Sequence, residues 1–549
     1  MNEPGPTGLR VTVDGQVAAA QPGQSLFECA ESVGVRVPTS CVKQGKCREC
    51  LIEVESGAEL LSPPAPQESH LGGRFRLSCR ARIEAAAGEV RCHTLRRGTL
   101  RVETESCGLD AAFALHPAVT RDGERVLLDG AAIARGSAAE PLLGLAIDVG
   151  TTTVAVRLHD LETGARLGTQ SFENPQRFGG SEVMARIRYD GEHPGRLLQR
   201  TLLGYLGRAI EALPCDPQRI FEVVVVGNPT MRDLFFGLDV ASIGVLPYRS
   251  RTEEEFRAGR RQSTALSTVA KRLRLPVHPK ARVYGLPLIG SHVGADAAAC
   301  LLATGLAERD GLCAVLDIGT NTEVLVGNRH RLLAASCPAG PAFEGGGVAC
   351  GMPALDGAIE RVALRDDGRL EARVVGGGEA VGVCGSGLVD LLSELLRAGR
   401  MNAQGRFGHD VHRVDLDAAG RVFVAEADVN ELAQAKGANV AGLRLVLEAF
   451  GATLDQVETL YLAGGFARHL DPAAAMRIGL IPELPKARVA QVGNAALEGA
   501  SQALLSVSRR RFLEGVVERV EHVRLEHAAS FFDVFVDGCQ FEPWGVAVA

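Results

Sequence analysis

Between residues 9 and 18 apolar and polar side chains alternate around Asp14-Gly15, with Leu9, Val11 and Val13 on one side of the pair. A period of two about an Asp-Gly pair predicts a β-hairpin. The stretch "SLFECAESVG" (25–34) reads as a short helix ending at Gly34, and "ECLIEVESG" (49–57) as a strand. Further on, apolar runs replace alternation: "GLAIDV" (144–149), "VVVVG" (223–227), "CAVLDI" (313–318) and "LYLAGG" (460–465). Runs of this length ending in glycine predict strands buried on both faces. "DVNELAQAKGANVAGLRLVLEAFG" predicts a helix that opens on Asp428 and Glu431, a variant capping box, and stops at Gly451. "RTEEEFRAGRRQSTALSTVAKRLRLP" (251–276) predicts a solvated helix with its charge outward.

Composition narrows the class. A chain of 549 residues, 46% hydrophobic, is too long for one core and implies three or four domains. The net charge of −7 is spread along the chain, so nucleic acid is not an expected partner. No apolar stretch reaches the roughly 18 residues of a bilayer span, so no membrane partner is expected. The opening "MNEPGPTGLR" does not read as a signal peptide. Of 14 cysteines, ten are scattered singly, as buried reduced thiols of a cytoplasmic protein would be.

The other four cysteines are grouped. Cys41, Cys47 and Cys50 have the spacing C-x5-C-x2-C, and Cys79 follows 29 residues after Cys50. Zinc ribbons use two CxxC pairs, and only one is present here. A plant-type [2Fe–2S] centre uses C-x4-C-x2-C and a distant fourth cysteine, one residue different in the first loop. With strand, hairpin and helix around it, the group predicts a β-grasp ferredoxin domain whose Gly45 lets backbone N–H groups approach sulfur. Cys29, inside the helix, is expected in the core.

The remaining chain repeats itself. "GLAIDVGTTTVAV" (144–156) and "CAVLDIGTNTEVLV" (313–326) share an apolar strand, Asp-x-Gly-Thr and a returning strand. Gly150 and Gly319 are expected to allow a tight turn. The turns expose N–H groups and the side chains of Thr151, Thr152, Thr320 and Asn321 to a phosphate. Asp148 and Asp317, at the strand ends, are candidates to hold Mg²⁺. Gly464 and Gly465 offer bare backbone to a flat base. No GxxxxGK[ST] occurs, so a P-loop is unavailable.

Duplicated Asp-x-Gly-Thr loops with an Ala-Gly-Gly-Phe segment resemble the actin, hexokinase and acetate-kinase superfamily, in which two lobes close on MgATP. More narrowly, "NPQRFGGSEVMARI", "VVGNPTM", "GSHVGADAAAC", "LDIGTNTEVLV", "CPAGPAFEGGGVACGMPALDGAIE", "GVCGSGLVDLL" and "YLAGGFARHLD" together resemble the reductive activators of corrinoid proteins. The resemblance covers nearly the whole chain. It implies an α/β multidomain protein: a β-grasp [2Fe–2S] domain (1–96), a linker segment (97–140) and a two-lobed RNase H-like ATPase body (141–304 and 305–549). It implies ATP-dependent transfer of an electron to Co(II) of a corrinoid protein in a methyltransferase system, with an upstream electron donor. A homodimer contact in the linker is a further expectation. Two other functions compete: electron transfer on a non-hydrolysing scaffold, and a cluster-regulated small-molecule kinase.

Two residues depart from the family pattern, Ala467 where glycine is expected after Ala-Gly-Gly-Phe, and Pro338. Glu344 is a candidate to position water or contact nucleotide, set against a plain turn role. Cys337, Cys350 and Cys384 match no cluster spacing and read as structural thiols. His292 has no evident partner in the sequence.

Overall fold

The computed structural model describes residues 8–37, 39, 41, 43–95, 106, 108–109, 113–137, 139–408, 410–484 and 488–545. The first unit is a five-stranded sheet of β1 (Leu9–Val13), β2 (Gln16–Ala19), β3 (Leu51–Ser56), β4 (Phe75–Leu77) and β5 (Gly88–Thr94). Its order is β2-β1-β5-β3-β4, with β1 and β5 parallel. The β1–β2 turn has φ of 47° at Asp14 and 79° at Gly15, the paired positive φ values of a type I′ turn. The helix Leu26–Ser32 starts in a reciprocal cap. Ser25 Oγ accepts from Glu28 N at 3.2 Å, and the Glu28 carboxylate accepts from Ser25 N at 2.8 Å. Cys29 is buried in this helix, as expected.

Next comes a three-stranded meander, β6 (Val119–Asp122), β7 (Arg125–Leu128) and β8 (Ala131–Arg135). Val119 and Val126 join the core of the following lobe, so this segment is packed onto the body. Much of the stretch before it (96–105, 107 and 110–112) lies outside the described residues, and with it part of the expected dimer contact.

The body contains two six-stranded sheets. The first holds β9 (Leu143–Val149), β10 (Thr153–Asp160), β11 (Arg166–Glu173), β12 (Ile220–Val226), β13 (Leu266–Val269) and β14 (Arg282–Gly285) in the order β11-β10-β9-β12-β14-β13. The second lobe opens with β15 (Cys313–Ile318), β16 (Thr322–Gly327) and β17 (Leu332–Cys337). An insertion follows with β18 (Ala358–Leu364), β19 (Leu370–Val374), β20 (Gly382–Val383), the helix Gly385–Arg397, β21 (Arg413–Asp415) and β22 (Phe423–Ala425). The lobe is completed by β23 (Thr459–Ala463), β24 (Arg488–Gly493) and β25 (Val520–His522), in the order β24-β23-β15-β16-β17-β25. The duplication is structural: β9 and β15 each pair antiparallel with the next strand and parallel with a later one.

Both faces of β9 are covered, which explains its unbroken apolar run. Leu145 and Ile147 pack with Leu198, Leu202 and Leu206 of the helix Leu197–Glu211, while Ala146 faces the helices Ala295–Thr304 and Ala495–Leu505. Those last two helices cross between the lobes. Gly499 meets the Ala299 carbonyl so closely that a Cβ would collide with it. The fully buried Arg157–Glu498 pair, at 2.7 Å, ties β10 to the same crossing.

The first unit is seated on the first lobe. Its core is continuous with the Leu198 face, Leu95 N donates to Tyr205 Oη at 3.0 Å, and Arg177 Nη2 lies 2.9 Å from Glu53 Oε2. Arg200 donates to the Cys47 carbonyl and pairs with Glu49 at 3.4 Å.

Two sequence expectations are corrected. The helix expected from Asp428 runs Glu426–Phe450, and Asp428 caps it by accepting from Ala425 N at 2.8 Å; Glu431 has no part in the cap. The single helix expected over 251–276 is instead the helix Arg251–Arg257, the edge strand β13 and the short helix Ala270–Leu273. A positive φ at Gly259 ends the first piece, and pairing with β14 takes the second.

Candidate functional site

The four grouped cysteines form two pairs. Cys50 and Cys79 Sγ atoms are 3.2 Å apart, and Cys41 meets Cys47 across the preceding loop. Burial opposes ionisation of Cys41, but hydrogen bonds from Cys47 and from the N–H groups of Lys46 and Gln44 bring its thiol down to about 7. The Cys50 thiol, against the pull of burial and with help from Arg80 and the Gly45 N–H, brings Cys79 to about 7, while Cys50 is pushed up. Gly45 has φ +72°, and a Cβ there would run into the Arg80 guanidinium. Among the described residues no three His, Cys, Asp or Glu side chains converge on one ion. Two sulfur pairs with N–H donors aimed at sulfur fit the four-cysteinate demand of a [2Fe–2S] group better than one tetrahedral zinc.

The two Asp-x-Gly-Thr turns face each other across the cleft. Asp148, Gly150, Thr151, Thr152, Asp317, Gly319, Thr320, Asn321, Gly464 and Gly465 all line one cavity of about 100 Å³. The sequence-predicted residues of both lobes are thus brought together. The predicted use of Gly150 and Gly319 is corrected, since neither has a positive φ. Space is what matters at Gly150, where a Cβ would sit 2.7 Å from the Thr153 carbonyl oxygen. Gly464 does need its glycine: φ is +95°, and a Cβ would collide with the Ile318 carbonyl.

The cavity is crowded with carboxylates. Burial pushes Asp148 up to about 7, offset by a hydrogen bond from Asn494 Nδ2 at 2.9 Å and reinforced by Asp317. Burial likewise raises Asp317 to about 6, with the Cys300 thiol 3.4 Å from its Oδ2. Asp296, on the first turn of Ala295–Thr304, is raised to about 8 by burial and by both other aspartates, and Glu323 on β16 is raised in the same way. One buried and three half-buried acids, with no Lys or Arg among the cavity's lining residues, make a site that a divalent cation would relieve.

Sequence reasoning missed Asp296, Glu323 and Asn494, while Asn228, read from "VVVVGNPTM" as closing the first lobe, does line the cavity. Asn228 caps the helix Pro229–Phe236 and donates to Thr151 Oγ1 at 3.0 Å; Asn494 caps Ala495–Leu505 and holds Asp148. The Gly-Ala-Asp and Gly-Asn-Ala junctions that open helices were available signals for Asp296 and Asn494. Glu344 lies between the loops, accepting from Thr152 Oγ1 at 2.9 Å and Thr320 Oγ1 at 2.5 Å.

Beside this cavity is a larger one of about 280 Å³, whose walls include Thr152, Phe343, Glu344 and Phe466. The Phe343 and Phe466 rings stack with centroids 5.7 Å apart. Neither Pro338 nor Ala467 lines either cavity; the Ala467 carbonyl accepts from Gln491 Nε2 at 2.7 Å. Cys337 packs under Gly442, Cys350 points at the Arg421 carbonyl, and Cys384 lines the larger cavity, so these three do not assemble. His292 packs its ring 5.0 Å from Tyr248. Among the described residues no helix is long and apolar enough to cross a membrane.

Comparison with known proteins agrees with this division. Residues 11–84 match the 2Fe-2S iron-sulfur cluster binding domain, 143–309 the RACo middle region, and 311–547 the C-terminal domain of RACo, the ASKHA domain. The chain is 29% identical over 578 residues to the corrinoid activation enzyme RamQ of Eubacterium limosum, covering 93% of this chain and 95% of that protein. It is 26% identical over 420 residues to the [Co(II) methylated amine-specific corrinoid protein] reductase of Methanosarcina barkeri, covering 70% and 74% of the two chains. The solved reductive activator for corrinoid, iron-sulfur protein superposes with a TM-score of 0.72 at 27% identity, over 97% of this chain and 98% of that one. With a cluster-binding domain, paired lobes and an ASKHA cleft in one continuous match, the chain belongs to the family of reductive activators of corrinoid proteins.

Proposed function

We propose that the protein restores Co(I) in a corrinoid protein of a methyltransferase system by delivering one electron in an ATP-dependent step. One observation carries this reading: paired thiols on a domain docked through Arg177 and Arg200 to a lobe whose Asp-x-Gly-Thr turn faces its twin. Neither part performs the other's chemistry, and a shared target accounts for their union. The printed activities of the relatives point the same way.

Cys41, Cys47, Cys50 and Cys79 are the proposed cluster ligands. A [2Fe–2S] cluster bound there would supply a one-electron carrier working at about −400 mV in plant-type proteins. Co(II) is a harder acceptor, and each 59 mV uphill costs about tenfold in a one-electron equilibrium. The cleft residues contribute a nucleotide-dependent change of state. Asp148 and Asp317 take Mg²⁺, the turns at Gly150, Thr151 and Thr152 and at Gly319, Thr320 and Asn321 receive phosphates, and Gly464 and Gly465 lie against the base. A nucleotide drawing the lobes together at this cleft biases one conformation, and differential affinity for the two states is the only source of such a bias.

Proposed boundaries are 1–96, 97–140, 141–304 and 305–549. An upstream electron donor, a cytoplasmic setting and a homodimer through the linker complete the reading; the free state of every described cysteine supports a reducing compartment. The test is an anaerobic absorbance trace of the cobalt states with a Co(II) corrinoid protein, reductant and this protein. Reduction is expected to be fast only with MgATP, and Asp317→Ala should mimic its omission. Equal rate and extent without nucleotide would defeat the proposal.

A further inference from the structure

The larger cavity is lined by a buried charge that has no ion-pair partner among the described residues. Arg186, on the helix Val183–Glu192, is 1% exposed and lines this cavity. Its Nε donates to the Gly180 carbonyl at 3.0 Å, but Nη1 faces the Met231 thioether at 3.1 Å, a weak acceptor for a guanidinium. Among the described residues no carboxylate forms an ion pair with it. Glu173, whose charge does reach Arg186, is 2.5 Å from Arg177, which also pairs with Glu53. A buried guanidinium without a paired anion is costly, and burial, partly offset by the Glu173 charge, brings Arg186 down to about 9.

The position of this charge is informative. Asn174 Nδ2 donates to the Gly150 carbonyl at 2.7 Å and lies 3.8 Å from the same Met231 sulfur. Arg186 is therefore linked to the first Asp-x-Gly-Thr turn through two residues, Met231 and Asn174. Arg177, Ser181 and Thr153 line the same cavity, as do the apolar Phe343, Met352 and Phe466 and the carboxylates Glu173, Glu344 and Glu360. A planar fork with unspent donors, facing a cavity, is suited to bidentate recognition of an oxyanion.

We propose that this cavity is a second ligand site, in which Arg186 binds a small oxyanion, phosphate or carboxylate, beside the nucleotide loops. A phosphate would make it a holding site for the phosphate released at the adjacent turn; a carboxylate would make it the site of a separate small effector. The inference rests on the cavity and the unpaired charge, and does not require nucleotide turnover.

The experiment is calorimetric titration of the full-length, cluster-loaded protein with sodium phosphate and, separately, sodium acetate, with and without MgADP. Saturable binding of one anion is expected, weakened at least tenfold by Arg186→Met and partly recovered by Arg186→Lys. MgADP affinity should stay within about twofold in both variants. Because the charge is unpaired, Arg186→Met should melt no lower than wild type when no anion is added. If Arg186→Met does not fold, Ser181→Ala on the rim should weaken the anion severalfold. No saturable binding of either anion, or binding unchanged by these substitutions, overturns the site. MgADP titrated alone reports separately on the nucleotide reading, so the two proposals fail independently.

Discussion

Glu344 joins the two Asp-x-Gly-Thr turns: its Oε1 accepts from Thr152 Oγ1 at 2.9 Å and its Oε2 from Thr320 Oγ1 at 2.5 Å. One carboxylate thus spans the lobes at the hydroxyls proposed to meet phosphate. Burial pushes its pKa above the ordinary carboxylate value, with hydrogen bonds from the two threonines pulling the other way. Glu344→Gln should cut ATP hydrolysis at least a hundredfold, measured as phosphate release, while nucleotide affinity changes less than about threefold. Turnover within a factor of two of wild type would assign Glu344 to loop structure alone.

Asp148 predicts a pH dependence of stability. Its folded value of about 7 lies above the ordinary 3.8, so the folded state holds a proton that the unfolded state has lost. The stability associated with that proton is complete below about pH 4 and is lost as pH rises through about 7. Asp148→Asn should therefore raise the melting temperature of the magnesium-free protein at pH 8 and leave it nearly unchanged at pH 4. The expected gain at pH 8 is on the order of 2–4 kcal/mol. Added Mg²⁺ should stabilise wild type more at pH 8 than at pH 5, and a variant equally affected at both pH values would contradict the assignment.

Cys47→Ser should lose the visible absorption of a [2Fe–2S] group, and Cys29→Ser should keep it, because Cys29 is buried in the helix Leu26–Ser32. Iron and sulfide analysis decides the matter: about two of each per chain are expected, and one zinc without sulfide would refute the cluster.

Glu53 lies on β3, which begins immediately after Cys50, and meets Arg177 at 2.9 Å. Glu53→Gln should leave cluster absorption and nucleotide affinity intact but loosen the seating of the first unit on the lobe. Removing one partner of such a shielded pair costs about 3–5 kcal/mol when fully buried and less at this partly open interface. Calorimetric scanning should show the cluster-bearing unit melting earlier, as a separate transition; one unchanged transition would show that the Tyr205 and core contacts suffice.

Local signals in the chain are self-contained where a few neighbouring residues decide the outcome. Asp14-Gly15 dictates its turn because the positive φ values are a property of those two residues. The repeated Asp-x-Gly-Thr strands were legible because burial on both faces leaves an unbroken apolar run. Stretch 251–276 misled because its charge pattern allows a helix, while β14 offered an unpaired edge that Leu266–Val269 could join. That competition depends on a strand more than a dozen residues away, so local propensity does not reveal it.

By itself the sequence determined the spacing of the four cysteines, the twin turns carrying Asp148 and Asp317, and the domain order, because each is written within one short segment. Tertiary structure alone decided that Asp296 and Glu323 share a cavity with those aspartates, that Glu344 bridges two threonines, and that Arg186 is buried with no ion-pair partner among the described residues. These relationships join residues from different strands and lobes. Burial, which sets their charge states, exists only once the sheets and crossing helices have excluded water.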